Sequence, residues 1–439
     1  MKIPAHRRHT LANGSRVILL PRHDVPLIAF EALMRGGSRL DPPARAGLAA
    51  VSAALLTRGA AGRDAHAFAE AVEGAGGSLE ADAHSEAIVL HGQFLARDGG
   101  LMLELLSDAL QRARFESDEL DLVRTRRIEF IKAAKDSEPQ SLIGQYGRSL
   151  LFADHPYGKP IGGSESSLAS LTREDVLGFY RDHFGADRLT LVFAGDFDPD
   201  WMLDALSAAF GSWGIARESL PPLPAPQRVQ GRSVLLIDAP DSPQTYFWIG
   251  NTGVARSYPQ RAALEITNTA FGGSFGSMLM QALRVKSGLT YSVSSNFRRG
   301  SVPAEFAINS FTRVDSTGEA LDMTLQTLST LKREGAGERS LASARNYILG
   351  QYPLGFETAA DWASALAELD LYGLPESYID EFGHSLHSVD AALSQRVIEN
   401  AYPEAADVDI VLIGDAVRIR TAAARLGPVR EKPLTAPDF

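Results

Sequence analysis

Histidine and carboxylate side chains are the groups in this chain most able to bind a metal ion, because the sequence contains no cysteine. His84 and Glu86 alternate along a segment that we expect to be a strand, so their side chains would share one face. His384 and His387 lie three residues apart near the expected end of a helix. No group of this kind offers three ligands at a recognised spacing. The sequence therefore predicts no metal site and no cofactor in this chain.

Two serines close to a histidine suggest comparison with a serine hydrolase. Ser164 and Ser166 follow His155 within the segment HPYGKPIGGSES. A catalytic serine of that kind usually sits in a G-x-S-x-G turn, which exposes its hydroxyl at the top of a sheet. The sequence GGSES lacks the second glycine. We therefore do not expect an independent hydrolase that uses these residues.

A glycine-rich stretch, FGGSFGSMLMQALRVKSGLTYSVSSNF, occupies residues 271–297. Gly272, Gly273 and Gly276 predict a tight loop whose backbone adopts positive φ angles, which glycine tolerates better than other residues. An apolar, helix-like segment follows the loop.

An arginine and a tyrosine follow this loop, seven residues apart. We expect a helix from about Ser277 that stops at Gly288, with a strand beginning in LTYSVSSNF. On the residues alone, Arg284 is explained as a cation near the C-terminal end of a helix. On the same grounds, Tyr291 is explained as an aromatic residue that favours a strand.

The composition limits the class of protein to which this chain can belong. The chain has 439 residues, of which 45% are apolar and 22% charged, as in ordinary soluble globular proteins of more than one domain. Its net charge of −11 argues against a general nucleic-acid or anionic-membrane binder. We find no run apolar enough to insert into a membrane. The segment MKIPAHRRHTLANG has no apolar core of a signal peptide, so cytoplasm and periplasm fit equally, although a removed signal would not be visible.

A proline-rich segment, ESLPPLPAPQRVQG, divides the chain into halves of similar length. Proline fixes φ and cannot donate a backbone hydrogen bond, so residues 218–231 read as an extended linker. We expect an N-terminal domain at 1–217 and a C-terminal domain at 232–439.

The two halves present the same order of features. Each opens with two apolar, strand-like segments and a glycine-flanked helix, and each closes with an apolar strand that ends in Gly-Asp, at 195–196 and 414–415. This pattern predicts an α+β fold of two homologous domains, each a mixed, mainly antiparallel sheet with helices packed on it. Long amphipathic stretches lie between these features, at 97–112, 117–135, 316–333 and 338–351.

A resemblance to a known family rests on the stretch from His155 to Phe197. It contains HPYG, a following Gly-Gly, the segment LTREDVLGFYRDHF and the strand LTLVFAGDF. This combination resembles the insulinase-like zinc metallopeptidases, which include pitrilysin and the mitochondrial processing peptidase. The resemblance covers nearly the whole chain, including the duplicated domain. It implies that a zinc motif should lie in the first domain.

The resemblance places that motif on GLAAVSAALLTRG, residues 47–59. Active members carry H-x-x-E-H here, where two histidines on one helical face bind zinc and the glutamate activates water. In this chain the three positions are Ala50, Ala53 and Ala54. The family's third ligand, a glutamate on a later helix, corresponds approximately to Glu129, which we expect to be a surface acid. We therefore expect no zinc in this chain.

The same resemblance places Gly272, Gly273 and Ser274 in a substrate-binding loop. Arg284 and Tyr291 fall on the arginine–tyrosine pair of the family's C-terminal domain. A neutral tyrosine hydroxyl can donate to the oxyanion that forms when zinc-bound hydroxide attacks a peptide carbonyl. Arginine can hold a substrate carbonyl or orient the tyrosine. We expect this pair to be the catalytic contribution of the chain.

Small bacterial members of the family resemble half of the larger enzymes and pair so that one subunit supplies zinc. We expect this chain to be the non-zinc subunit of a heterodimeric metallopeptidase, inactive alone, whose homologous partner carries H-x-x-E-H and zinc. Its substrates would be short or unfolded peptides, and residues 76–95 would be an edge-strand region able to bind them. The alternative is a non-catalytic scaffold or peptide-binding member of the family, against which the arginine–tyrosine pair argues.

Overall fold

Two six-stranded sheets form the framework of the computed structural model, which describes residues 1–439. The first sheet contains β1 (Arg7–Thr10), β2 (Arg16–Pro21), β3 (Leu27–Arg35), β4 (Ser78–Ala83), β5 (Ala87–Leu95) and β6 (Leu189–Gly195). The second contains β7 (Arg232–Asp238), β8 (Gln244–Thr252), β9 (Val293–Arg299), β10 (Pro303–Arg313), β11 (Val408–Gly414) and β12 (Val429–Pro433).

Five strands are arranged in the same order in both sheets. The first sheet runs β1-β2-β6-β3-β5-β4 and the second runs β12-β7-β11-β8-β10-β9. In each sheet the closing apolar strand pairs in parallel with the opening strand, β6 with β2 and β11 with β7. The remaining pairs between corresponding strands are antiparallel. The prediction of a duplicated, mixed and mainly antiparallel α+β unit is therefore confirmed.

Sixteen α-helices and two π-helical segments surround these sheets. Those of the first half are α1 (Leu48–Leu56), α2 (Ala65–Gly74), α3 (Gly99–Gln111), α4 (Ser117–Ser137), α5 (Ile143–Phe152), α6 (Glu165–Ala169), α7 (Arg173–His183) and α8 (Pro199–Phe210). Those of the second half are α9 (Arg261–Asn268), α10 (Thr317–Glu334), α11 (Glu338–Gln351), α12 (Ala359–Leu371), α13 (Ser377–Asp380), α14 (Phe382–His387), α15 (Ala391–Ala401) and α16 (Ala416–Ala424). The π-helical segments are Thr269–Gly273 and Met280–Lys286. None of the helices combines the length and apolar composition that a membrane span requires.

Each sheet is covered on one face by a helix from the other half of the chain. Helix α5 packs on β8 and β11, and helix α12 packs on β3 and β6. The first contact is close, because a Cβ on Gly147 of α5 would lie 2.5 Å from the ring of Trp248. This exchange of helices interlocks the two halves through two separate apolar clusters.

The proline-rich segment 218–231 contains no helix or strand, and it is held along its length. The His155 ring contacts the carbonyl oxygen of Pro224 through Nε2 at 2.8 Å. The Val229 N–H donates to the side chain of Asn251 at 2.9 Å. The segment is therefore fixed against both halves rather than free in solvent.

Candidate functional site

Helix α1 begins at a position that only glycine fits well. Gly47 has a φ of 91°, and a Cβ there would lie 2.7 Å from the Cα of Gly163 in the loop after HPYG. The carboxylate of Asp41 accepts the N–H groups of Gly47 and Ala49, each at 2.8 Å. Burial raises the pKa of Asp41 to about 7, although these backbone N–H groups favour the ionised form. The start of α1 is thus fixed by one buried carboxyl group and one glycine–glycine contact.

The three zinc-motif positions lie on α1 as alanines. Ala50 and Ala53 are buried, and Ala54 lines a groove beside the helix. Methyl groups have no lone pair to offer a metal. The Arg127 guanidinium donates to the carbonyl oxygen of Ala50 at 3.1 Å, so a permanently charged cation stands beside this part of the helix. Its charge opposes a divalent cation at the same place.

Helix α4 turns Arg127, and not Glu129, toward α1. Glu129 is exposed and forms an ion pair with Lys132, with Oε1 and Nζ 3.2 Å apart. Two positions along a helix correspond to about 200° of rotation, so the two side chains point to nearly opposite sides. The Glu129 carboxylate therefore does not face the alanines of α1.

The glycine-rich loop differs from the sequence expectation in its backbone. Gly272, Gly273 and Gly276 are absent from the glycines with positive φ, so the predicted left-handed conformation was wrong. Gly272 is required by a close approach instead, since a Cβ there would lie 2.7 Å from the backbone nitrogen of Ser295. The hydroxyl of Ser274 donates to the carbonyl oxygen of Thr269 at 3.1 Å. The loop is thus held against β9 and the preceding π-helical segment.

Arg284 and Tyr291 are brought together on the surface. Arg284 lies in the π-helical segment, and its guanidinium carbon is 4.5 Å from the centroid of the Tyr291 ring. The same carbon lies 4.9 Å from the Phe275 ring, so the arginine is stacked between two aromatic side chains. Tyr291 is 71% exposed and Phe275 64% exposed. Sequence reasoning missed Phe275, which carries no signal other than its place within the glycine-rich loop.

Tyr291 precedes the strand in which we expected it. Strand β9 begins at Val293. The carbonyl oxygen of Leu283 accepts the backbone N–H groups of both Leu289 and Thr290, at 2.8 and 3.3 Å. These bonds fold the chain back on itself after the π-helical segment, so strand pairing begins only at Val293. That turn, rather than a strand, places the Tyr291 ring beside Arg284.

The expected alternation of His84 and Glu86 on a strand was also wrong. Both residues lie in the connection between β4 and β5. A different group converges nearby, because Glu80 pairs with His91 across the two strands and Asp82 follows on the same face. Ligand atoms of these three residues lie within 4.8 Å of one another. His91 and Asp82 already contact each other at 3.1 Å, and the two carboxylates are exposed.

The serines near His155 have structural partners. The hydroxyl of Ser164 donates to Asp438 Oδ1 at 2.6 Å, and Ser166 donates to the same oxygen. The His155 ring accepts the Tyr157 N–H at 3.1 Å. Its other nitrogen contacts the linker. No serine–histidine hydrogen bond forms, so these residues build no nucleophile–base pair.

A cavity of about 670 Å³ lies between the halves. Strands β3 to β5 contribute one wall, and β9, β10 and α12 contribute others. Its charged lining residues are Glu31, Asp82, His84, Glu86, His91, Arg148, Arg256, Arg298, Arg299, Glu305 and Glu368. Burial raises the pKa of Glu305, while Arg148 opposes this shift. The cavity therefore mixes acids and arginines, and both halves of the chain contribute residues of each kind.

Two models of one protein family match successive parts of the chain. Residues 29–165 match the model described as insulinase (peptidase family M16), and residues 170–348 match the one described as the peptidase M16 inactive domain. The first region contains α1 and its three alanines. The second contains the glycine-rich loop and the arginine–tyrosine pair.

Relatives of similar length align over most of the chain. An uncharacterized zinc protease of Mycobacterium leprae is 28% identical over 97% of this chain and 92% of its own length. The non-peptidase homolog YmxG of Helicobacter pylori is 25% identical over 82% of this chain and 83% of its own length. The crystal structure of a peptidase M16 inactive domain from Pseudomonas fluorescens superposes with a TM-score of 0.86 at 23% identity, over 93% of this chain and 98% of the other, which shows the shared fold. With both domain models matched in order, the chain belongs to the insulinase family of peptidases, M16.

Proposed function

We propose that this chain is the non-zinc subunit of a heterodimeric zinc metallopeptidase that cleaves short or unfolded peptides. Arg284 and Tyr291 would act on a substrate bound at the zinc ion of a homologous partner subunit. The observation that carries this proposal is the exposed stack of these two side chains, with 4.5 Å between the guanidinium carbon and the tyrosine ring.

The stack leaves polar groups free for a substrate. Tyr291 is 71% exposed, and its hydroxyl makes no hydrogen bond within the chain. The guanidinium of Arg284 forms no salt bridge, so its N–H groups remain available as donors. A phenol held by stacking is oriented in advance, which is what oxyanion stabilisation requires. These features favour a role toward a group outside this chain.

The zinc ion of such an enzyme has to come from the partner. Helix α1 carries Ala50, Ala53 and Ala54 where the metal-binding residues would be, and Arg127 stands beside it. The residues present do not fit a zinc ion at this place. A homologous subunit with H-x-x-E-H would supply both the ion and the general base.

Reconstitution tests this assignment directly. The purified chain should contain no stoichiometric zinc and cleave no peptide, as measured by metal analysis and a quenched-fluorescence peptide assay. Addition of a homologous subunit that carries H-x-x-E-H should produce cleavage well above that of either protein alone. Zinc bound tightly by the lone chain, together with peptide cleavage, would refute the proposal.

A second candidate function is a non-catalytic, peptide-binding member of the family. The name of the Helicobacter pylori relative, a non-peptidase homolog, favours it. Here the edge strand β4 would bind an extended peptide without cleavage. This candidate predicts self-association or peptide binding that is indifferent to any zinc-bearing homologue, so the same mixing experiment separates the two functions.

A further inference from the structure

The groove beside the alanines of α1 is a cavity of about 470 Å³ between α1, α4 and the loop after HPYG. Of the three motif positions on α1, Ala54 lines this groove. Its walls combine apolar side chains, among them Phe130 and Phe439, with four cations. The arginines that line it are Arg58, Arg126, Arg127 and Arg148.

Half of these arginines form no salt bridge. Two of the four arginines have carboxylate partners, and the pairs are Arg58 with Glu119 at 3.8 Å and Arg148 with Glu305 at 3.7 Å. Arg126 and Arg127 form no salt bridge. In a chain whose net charge is −11, two unpaired guanidinium groups in one groove indicate a local preference for an anion.

Arg127 is held in place with most of its donors unused. Its only hydrogen bond within the chain goes to the carbonyl oxygen of Ala50 at 3.1 Å. A guanidinium has five N–H donors in a planar fork that matches a carboxylate. Burial lowers the pKa of Arg127 and the charge of Asp82 opposes this shift, so the side chain lies within electrostatic range of strand β4.

We propose that this groove binds the C-terminal carboxylate of an extended peptide, with Arg127, beside the motif positions of α1, as the cation that pairs with it. Strand β4 is the edge of the first sheet, so one row of its backbone groups has no strand partner and can pair with a peptide. Helix α1 packs against β4, which brings a peptide on that edge toward the groove. Binding of a terminal carboxylate does not depend on the side chains of the peptide. Pairing of the peptide backbone with β4 does not depend on them either, so the two contacts are compatible.

The apolar wall adds a preference for the last residue of the peptide. Val123 and Ile131 line the groove, and Phe130 beside them is 71% exposed although it is aromatic. Covering these groups with a leucine or phenylalanine side chain removes apolar surface from water. This binding requires no partner subunit, so it stands independently of the proposed catalytic role.

Peptide binding to the full chain tests the inference. A fluorescent peptide of about ten residues that ends in leucine with a free carboxylate should bind about tenfold more tightly than its C-terminal amide, as measured by anisotropy. A third peptide, amidated but with glutamate at the penultimate position, should bind as weakly as the amide. Equal binding of acid and amide would overturn the proposal. Tight binding of the glutamate peptide would overturn the assignment to a terminal carboxylate.

Two variants and a matched control locate the site. Arg127→Gln should abolish the preference for the acid, while glutamine retains an N–H donor for the Ala50 carbonyl. Arg126→Gln, at an exposed position, should reduce the preference by about threefold or more and serves the test if the first variant fails to fold. Lys132→Gln removes the same charge from the same helix outside the groove and should leave it unchanged. A preference that survives both arginine variants would overturn the proposal.

Discussion

The phenol of Tyr157 donates a hydrogen bond to Glu86 Oε1 at 2.6 Å. The same oxygen accepts the backbone N–H of Ser301 at 2.8 Å. Tyr157 belongs to the HPYG segment and Ser301 to the turn between β9 and β10, so one buried carboxylate joins the two halves of the chain. Burial, reinforced by the charge of Glu86, raises the pKa of Tyr157 and keeps its phenol a donor.

Removing the phenol hydroxyl should weaken the contact between the halves. We expect Tyr157→Phe to lower the free energy of unfolding by about 1.5–3 kcal/mol, because a buried carboxylate loses a donor. Urea denaturation followed by circular dichroism measures this loss. Tyr347→Phe is the matched control, since Tyr347 is 52% exposed and has no hydrogen bond from its hydroxyl, and it should change stability by less than about 0.5 kcal/mol. Similar losses in both variants would contradict the assigned role.

Gly300 should not tolerate a side chain, because it faces this hydrogen-bonded group. A Cβ at Gly300 would lie 2.0 Å from the Tyr157 hydroxyl and 2.5 Å from Glu86 Oε1. We therefore expect Gly300→Ala to cost about 1–3 kcal/mol through overpacking and displacement of the phenol. Thermal and urea unfolding measure the change. Gly214→Ala is the control, since nothing lies within 4 Å of a Cβ there, and a loss as large as that of Gly300→Ala would contradict the steric explanation.

The buried carboxyl group at the start of α1 should make stability depend on pH. Burial raises the pKa of Asp41 from 3.8 to about 7 in the folded chain. Between about pH 4 and pH 7 the folded state therefore retains a proton that the unfolded state has released, so the contribution of Asp41 to stability falls as the pH rises. We expect this contribution to change by up to about 4 kcal/mol across that range.

Asp41→Asn isolates this contribution from the other titrating groups. Asparagine keeps an oxygen that can accept the Gly47 or Ala49 N–H but does not ionise. The difference in unfolding free energy between the native chain and the variant should therefore shift in favour of the variant as the pH is raised from 4 to 8. A difference that is constant with pH, measured by urea denaturation in matched buffers, would contradict the shifted pKa.

Much of the fold could be predicted from the sequence because each half repeats the same strand pattern. The exchange of α5 and α12 between the halves was not predicted, since hydrophobic periodicity shows that a face is buried but not which helix covers it. One signal was available in strand β8, where residues 246–250, YFWIG, form a continuous apolar run in the sequence, and Phe247, Trp248 and Ile249 are buried in the structure. A run that is buried on both faces indicates a sheet covered on both sides.

The candidate site was predictable only in part, for reasons of helix register. The alanines of α1 can be identified from the sequence, whereas the choice between Arg127 and Glu129 depends on how α4 is rotated against α1. Neighbouring charged residues on a polar helix do not reveal that rotation. The π-helical geometry around Arg284 was likewise missed, because it follows from how the loop packs on β9 and not from local propensity.

Removing either member of the arginine–tyrosine stack should impair the reconstituted enzyme while leaving the fold intact. Tyr291 is exposed, so Tyr291→Phe removes only a hydroxyl that has no partner in the chain. We expect kcat to fall about 10- to 1000-fold with little change in KM, because an oxyanion donor acts in the transition state. Steady-state kinetics with the zinc-bearing partner in excess measure both constants.

Arg284→Ala should act differently, because it removes both a substrate donor and the support of the tyrosine ring. The guanidinium lies between Tyr291 and Phe275, so its loss frees the phenol to move. We expect kcat/KM to fall about 10- to 1000-fold, with KM rising as well as kcat falling. Lys286→Ala is the control, since it removes a neighbouring exposed cation that stacks on neither ring. Near-native kinetics in both Arg284→Ala and Tyr291→Phe would show that the stack has no part in the reaction, because each variant removes a group that the stack would offer to the substrate.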